Sequence, residues 1–329
     1  MPLDAVVVVD KPLGLTSFDV VARVRRALGE RRVGHAGTLD PLATGVLVVC
    51  LGAATKAVPY LMAADKLYRA TARLGVATDT DDADPKARVL YRADAAALLA
   101  LRSEQVAAEL LAMVGDLSQR PPRFSALKHE GQPLYVRARR ERQSDADEDD
   151  SELERQLVAK QRQVRIDAIE IEGIDLSGDA PSVTFTVRCG KGTYIRSIAR
   201  DLGDALGVGA HLTALRRLRV GPFDESAAVA PTPEALPTAR CFSLTEALAH
   251  LPQARVEAPL AQRLRQGQVT ALAELRDAFG PVLPPPVAAV AEADASPLSA
   301  LTVIDPAGAL VAIVDRGQAN QSWRIARGF

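Results

Sequence analysis

Arg32-Val33-Gly34-His35-Ala36-Gly37-Thr38-Leu39-Asp40-Pro41-Leu42-Ala43-Thr44-Gly45-Val46-Leu47 is a loop written around one carboxylate, and it runs directly into an apolar, strand-like stretch at 46–51. The glycines in this run permit tight turns or a close approach of backbone to a ligand. Pro41 fixes its own φ and steers Asp40 away from the helical region, so the carboxylate sits at a stiff corner. An Asx-turn would account for an isolated Asp-Pro. Here Arg32 and Asp40 are the run's only charged side chains, and a second motif of similar character lies far downstream. Together these favour chemistry at Asp40.

The second motif is Arg188-Cys189-Gly190-Lys191-Gly192-Thr193-Tyr194-Ile195-Arg196-Ser197-Ile198. It follows an alternating strand at 182–189 and opens a helix at 195–206 that Gly207 closes. Gly-Lys-Gly-Thr before a helix invites a phosphate-binding reading, but the four-residue gap of a P-loop is missing, so a nucleotide hydrolase is excluded. Further segments are Lys11-Pro12, Lys66-Leu67-Tyr68-Arg69-Ala70, Phe124-Ser125-Ala126-Leu127-Lys128 with Gly131, Leu134 and Tyr135, and His211-Leu212 with Leu215-Arg216-Arg217-Leu218.

In this order the segments resemble the TruB-type tRNA pseudouridine synthases, whose Gly-His-x-Gly-x-Leu-Asp-Pro-x-Ala-x-Gly-x-Leu pattern carries an essential aspartate, here Asp40. The resemblance covers residues 6–222 well and 252–329 loosely. It implies that Arg196 pairs with Asp40 and that Tyr194 packs in the floor of the nucleoside pocket. It also implies that Tyr68 stacks on the flipped uracil as a candidate for proton transfer at C5, and that Leu215 borders the base. His35 would contact the RNA, and Lys11 would buttress the catalytic loop. The pairing is physically sensible, because a carboxylate facing uracil needs a fixed cation to stay ionised and a planar guanidinium offers paired hydrogen bonds.

The implied fold is α+β: a mixed, largely antiparallel central sheet flanked by helices, the pseudouridine synthase fold, plus a small C-terminal β-barrel-like PUA-type domain. A chain of 329 residues is long enough for about two domains. The expected division is a catalytic domain over 1–250, with an RNA-gripping insertion at about 119–165, and a divergent PUA-like RNA-binding domain over 251–329. Two departures from the family pattern stand out: the acidic run 143–154, and an alanine- and proline-rich stretch at 271–299 that reads as a loop insertion.

The composition, 48% hydrophobic and 25% charged, is globular. No apolar stretch approaches the ~20 residues needed to span a bilayer, and Met1-Pro2-Leu3-Asp4 lacks the basic start of a signal peptide. Cys50, Cys189 and Cys241 stand singly, and the four histidines show no ligand spacing. No metal is expected, and a cytoplasmic location is. Net charge is −1, yet basic residues gather at 120–142 and again at 188–219, the latter group including Arg196, Arg200, Arg216, Arg217 and Arg219. Local field governs attraction for a polyanion, so Arg123, Lys128 and Lys191 are candidates to contact substrate phosphates, with solvated helix faces as the plain alternative.

Elsewhere, a strand over 5–10 leads to a helix starting at Ser17 with Phe18, Val21, Val24 and Leu28 at helical spacing. Residues 67–74 alternate as a strand, 78–85 form a polar loop, and 103–115 read as a helix capped by Ser103 with Val106, Leu110 and Met113 inward. Strands are expected at 162–173, 182–189, 255–260, 301–304, 310–315 and 323–326.

The resemblance implies isomerisation of uridine 55 in the T arm of tRNA, with the T stem-loop as partner and no obligate protein partner, the chain acting as a monomer. Pseudouridine formation breaks the N1–C1′ bond and rejoins the ribose to C5, conserving atoms and oxidation state, so no cofactor is required. The base must leave its stack, which costs a few kcal/mol and demands a pocket for it. Asp40 would act as nucleophile or base, with addition at the ring or C1′ and proton abstraction at C2′ all open. A tRNA-folding chaperone role can coexist. The alternatives are a non-catalytic RNA-binding or chaperone protein on the same fold, and the catalytic subunit of a guide-RNA-dependent pseudouridine synthase.

Overall fold

The computed structural model describes residues 4–124, 128–129, 132–133, 155, 157–279, 300–316 and 323–329. The chain opens with β1 (Val6–Lys11), α1 (Ser17–Leu28), β2 (Val33–His35), β3 (Ala43–Leu51), α2 (Val58–Ala63) and β4 (Lys66–Leu74). There follow β5 (Val76–Thr78), β6 (Val89–Arg92), α3 (Ala95–Ala100), α4 (Ser103–Leu111), β7 (Gly115–Gln119) and the short strands β8 (Lys128–His129) and β9 (Gln132–Pro133). Next come β10 (Arg162–Asp175), β11 (Ser182–Cys189), α5 (Ile195–Ala205), β12 (Ala210–Val220), β13 (Phe223–Asp224) and α6 (Leu244–Ala247). The C-terminal part holds β14 (Gln253–Arg255), α7 (Ala258–Arg265), α8 (Val269–Phe279), β15 (Leu301–Ile304), β16 (Leu310–Arg316) and β17 (Trp323–Gly328).

The fold is α+β, with a largely antiparallel central sheet, flanking helices and a small C-terminal sheet. The chain divides into two compact units, one formed by residues 1–66 with 217–329 and the other by 67–216. In the first, β1 lies antiparallel on β3, in a register that sets Lys11 opposite Gly45, and β2 also pairs β3 with His35 opposite Val49. Residues 6–9 and 46–51 are buried throughout, so both strands read as unbroken apolar runs rather than as alternation. Val6, Val8, Val46, Val48 and Cys50 join Tyr60, Leu61, Leu248, Ile304 and Ile313 in one hydrophobic cluster, which ties the C-terminal sheet to the N-terminal strands. That sheet runs β14-β15-β16-β17, with β14 parallel to β15 and the other pairs antiparallel.

In the second unit the strand order is β12-β4-β11-β10-β7. Tyr68, Ala70, Ala72 and Leu74 form the buried face of β4, as the alternation predicts. Helix α5 puts Ile195, Ile198, Ala199 and Leu202 inward, and Gly207 follows it at φ 70°.

Several expectations are corrected. Helix α1 starts at Ser17 as expected, capped by Thr16 in a reciprocal capping box with Asp19; its inward residues are Ser17, Val20, Val21 and Val24, while Phe18 is 67% exposed. Ser103 is the first helical residue of α4 and Arg102 holds the cap position; Val106 and Leu110 are buried, and Met113 lies beyond the helix, half-buried. Residues 255–260 are not a strand: β14 ends at Arg255, and Pro259 sits in the first turn of α7, where its missing N–H costs nothing. The stretch at 271–299 begins not as a loop but inside α8, whose Ala, Leu, Glu and Arg residues are good helix formers. The polar loop at 78–85 is present, and Thr78, Asp79, Thr80, Asp81 and Asp82 in it are all buried. The acidic run 143–154, Tyr135 and the remainder of the alanine/proline stretch lie outside the described residues. Among the described residues no helix is long and apolar enough to cross a membrane.

Candidate active site

The loop that carries Asp40 is fixed by backbone contacts on each side. Ser17 Oγ accepts from Leu39 N at 2.8 Å and donates to Leu39 O at 3.2 Å. Gly14 N donates to Pro41 O at 2.8 Å, and Ala43 N to Asp40 O at 3.0 Å. The side chain of Lys11, fully buried, reaches the same corner: its Nζ donates to Leu15 O at 2.6 Å, Pro12 O at 3.0 Å and Pro41 O at 3.5 Å. Burial pushes the Lys11 ammonium down to about 8 despite the opposing attraction of Asp40, and Arg217 pushes it the same way as burial. Asp40 itself is half-buried. Because its backbone is anchored at positions 39, 40 and 41, its carboxylate can meet a ligand without the loop reorganising.

Arg217 props the loop from beneath. It is 1% exposed, with Nε donating to Val46 O at 2.7 Å and Nη2 to Gly37 O at 3.1 Å. Gly45 has φ 98°, and a Cβ there would lie 2.2 Å from the Arg217 carbonyl oxygen, so only glycine fits. His35 is half-buried, and burial followed by the Arg217 charge holds its imidazole below the ordinary histidine range.

In the second unit, α5 presents Arg196 and Arg200 one turn apart, both buried. Arg196 Nη1 donates to Thr80 O at 2.9 Å and Nη2 to Phe124 O at 3.0 Å, while Nε lies 3.8 Å from Asp82 Oδ2. Gln119, 1% exposed, clamps the backbone of Tyr194, accepting from its N at 2.7 Å and donating to its O at 3.0 Å. The guanidinium of Arg162 lies over the Tyr194 ring, 4.6 Å from its centre, and donates to Gly192 O at 2.5 Å. Tyr68 and Leu215 are buried, on β4 and β12.

The N-terminal-domain model of the TruB family pseudouridylate synthases matches residues 25–195, more than half of the chain, and a tRNA pseudouridylate synthase B C-terminal-domain model matches 196–238. The chain belongs to the TruB family. The tRNA pseudouridine synthase B of Geobacter sulfurreducens is 42% identical over 288 residues, covering 86% of this chain and 88% of the relative. That of Chromohalobacter salexigens is 40% identical over 272 residues, 81% of each. Among solved structures, a Cbf5–Nop10–Gar1 complex is similar in fold, with a TM-score of 0.64 and 24% identity over 98% of this chain and 83% of that one. Like the rest of the TruB family, the chain is an enzyme, an isomerase.

The sequence-predicted residues fall in both units: Lys11, His35 and Asp40 in the first, Tyr68, Tyr194, Arg196 and Leu215 in the second. Within the first, Lys11 and Asp40 are close enough to influence one another. Lys191 is exposed and Arg123 half-buried; the side chain of Lys128 lies outside the described residues. Of the basic cluster at 188–219, Arg196, Arg200 and Arg217 are buried and spend their charge inside the protein, which corrects their place in a surface field.

Sequence reasoning missed Ser17, Gln119, Arg162 and the loop at 78–82, and it misjudged Arg217. For Arg217 a signal existed: it lies two residues after Leu215 on one strand, hence on the same face. For the loop, Arg196 and Arg200 occupy the inward stripe of an amphipathic helix, where arginines require buried acceptors.

Proposed function

We propose that this TruB-family chain isomerises uridine 55 in the T arm of tRNA to pseudouridine. The single observation that carries the reading is the half-buried Asp40 on a backbone-anchored loop in a chain of this family. The curated relatives from Geobacter and Chromohalobacter are named for action on tRNA, and that substrate is extended here to this chain. Asp40 supplies the nucleophile or base at the sugar or ring, with Arg196 as its paired cation. Tyr68, Tyr194 and Leu215 bound the pocket for the extruded base, with Tyr68 a candidate for proton transfer at C5. Lys11 supports the catalytic loop, His35 contacts the RNA, and Arg123, Lys128 and Lys191 contact phosphates.

On this reading residues 1–250 form the catalytic domain and 251–329 a divergent PUA-like RNA-binding domain. The enzyme acts in the cytoplasm as a monomer, without a protein partner or cofactor, and assists tRNA folding as a second role. The test maps pseudouridine in unmodified tRNA transcripts incubated with the purified chain. A single new pseudouridine, at position 55, is expected. Its absence, or a modification elsewhere in the transcript, would overturn the assignment.

A further inference from the structure

We infer that Asp81 and Arg200 are positioning residues for Arg196: a buried ion pair that fixes the loop at 78–82 on which the Arg196 guanidinium docks. The inference rests on the role proposed above for Arg196.

Two arginines one helical turn apart grip three consecutive loop residues. Arg196 holds Thr80 O and faces Asp82, and between these Arg200 holds Asp81, Nη1 to Oδ2 at 3.1 Å. Asp81 is the one non-glycine residue with a positive φ, 59°, among the described residues. That conformation disfavours most side chains, although Asp and Asn tolerate it best. The backbone there is turned so that one carbonyl serves Arg196 and the neighbouring side chain serves Arg200.

The rest of the loop is held by β12 and by its own hydroxyls. Leu212 N donates to Asp81 O at 3.0 Å, and the hydroxyls of Thr78 and Thr80 donate to Asp82 O at 2.9 and 3.1 Å. Arg200 is fixed in turn by Asp201 Oδ1, at 2.9 Å from Nε and 2.8 Å from Nη2. Its Nη2 also donates to Arg120 O at 2.8 Å, and Ser197 Oγ donates to that same carbonyl at 2.9 Å. Asp81 and Arg200 are each 8% exposed. A charge pair so placed is costly to desolvate and adds little net stability, and without the Asp81 charge Arg200 still keeps Asp201, so the pair acts as a switchable anchor rather than as a source of stability.

The anchor is sensitive to pH. Burial pushes the Asp81 carboxyl up to about 6. Arg200, Arg196 and Arg120 pull it down, and Asp201 adds to the rise. As pH falls through this value Asp81 gains a proton, its attraction for Arg200 lapses, and the seat of Arg196 loosens.

The test compares the full-length wild type with Asp81→Asn and Asp81→Gly on a tRNA transcript. Asparagine keeps the shape and tolerates the backbone angle, and glycine relieves the strain. Neither keeps the charge. Both variants are expected to melt near the wild type and to lose about tenfold in kcat with KM within about twofold. The acid fall of wild-type kcat near pH 6 should be absent from Asp81→Asn. Arg200→Lys, which keeps charge but loses the fork, should also lose kcat, and it carries the test if the Asp81 variants fail to fold.

Wild-type kcat in these variants, a loss wholly matched by the unfolded fraction, or an unchanged acid limb in Asp81→Asn would overturn the inference while leaving the functional reading intact. A wild type that makes no pseudouridine would overturn both.

Discussion

Around Asp40 the chain is held through its own backbone groups: the Ser17 hydroxyl brackets Leu39, Gly14 holds Pro41, Lys11 and Arg217 donate to loop carbonyls, and the polar side chain that matters stays within reach of solvent. Around Asp81 it is held by charge, with two buried arginines gripping a loop whose own carboxylates are buried. The first arrangement spends modest, local hydrogen bonds, each worth about 0.5–1.5 kcal/mol. Its fixity therefore depends on sterics, above all on glycine. The second depends on ionisation, because every member is desolvated and each compensates another. A group that must react is left accessible on a stiff frame, and a group that must stay charged is enclosed by opposite charges.

The comparison can be broken most severely at Gly45. An alanine there adds a Cβ about 2 Å from the Arg217 carbonyl and forces a side chain into φ 98°, where left-handed strain alone costs ~1–2 kcal/mol. Backbone on both sides prevents relief. We expect Gly45→Ala to cost more than ~3 kcal/mol and to yield little folded protein, read by thermal melting and soluble yield. A variant melting within a few degrees of the wild type would show that the Asp40 frame is not sterically closed. The Asp81 variants, with their expected tenfold loss of turnover and near-normal melting, mark the other side of the contrast.

A smaller effect sharpens it further at Lys11, a buried charge in the first frame beside Arg217. Its ammonium, pushed down to about 8 by burial, loses its proton as pH rises past that value. The positive charge beside Asp40 and a donor to the loop carbonyls go with it, so turnover should fall a few-fold above pH 8, and Lys11→Met should lack that alkaline limb. Stability should move the other way. Between about 8 and the ordinary lysine value of 10.5 the unfolded chain binds the proton more tightly than the folded one, so unfolding becomes harder as pH rises. Parallel loss of activity and stability through this window would contradict the assignment.

What the sequence made legible follows the same divide. Glycines and Pro41 announce the stiffness of the Asp40 loop because sterics are local, and the apolar runs of β1 and β3, the alternation of β4 and the closing Gly207 are local signals too. The seat of Arg196 was not legible, because Asp79, Asp81, Asp82 and Asp84 in six residues have the composition of a solvated loop. The distant arginines of α5 draw two of these carboxylates inside, Arg200 pairing with Asp81 and Arg196 facing Asp82. Phe18 misled because the inward stripe of α1 runs through Ser17, Val20, Val21 and Val24, and Phe18 lies to one side of it. The packing of the C-terminal sheet against the N-terminal strands rests on contacts some 250–300 residues apart in sequence, such as Val6 and Val8 sharing a cluster with Ile304 and Ile313.

The central claim is that Asp40 carries out the isomerisation, and its most direct measurement is tritium release from tRNA labelled at C5 of uridine. Asp40→Asn keeps the shape of the side chain and the backbone anchors of the loop. The account predicts wild-type melting, tRNA affinity within a few-fold and no tritium release; release within about tenfold of the wild-type rate would contradict it.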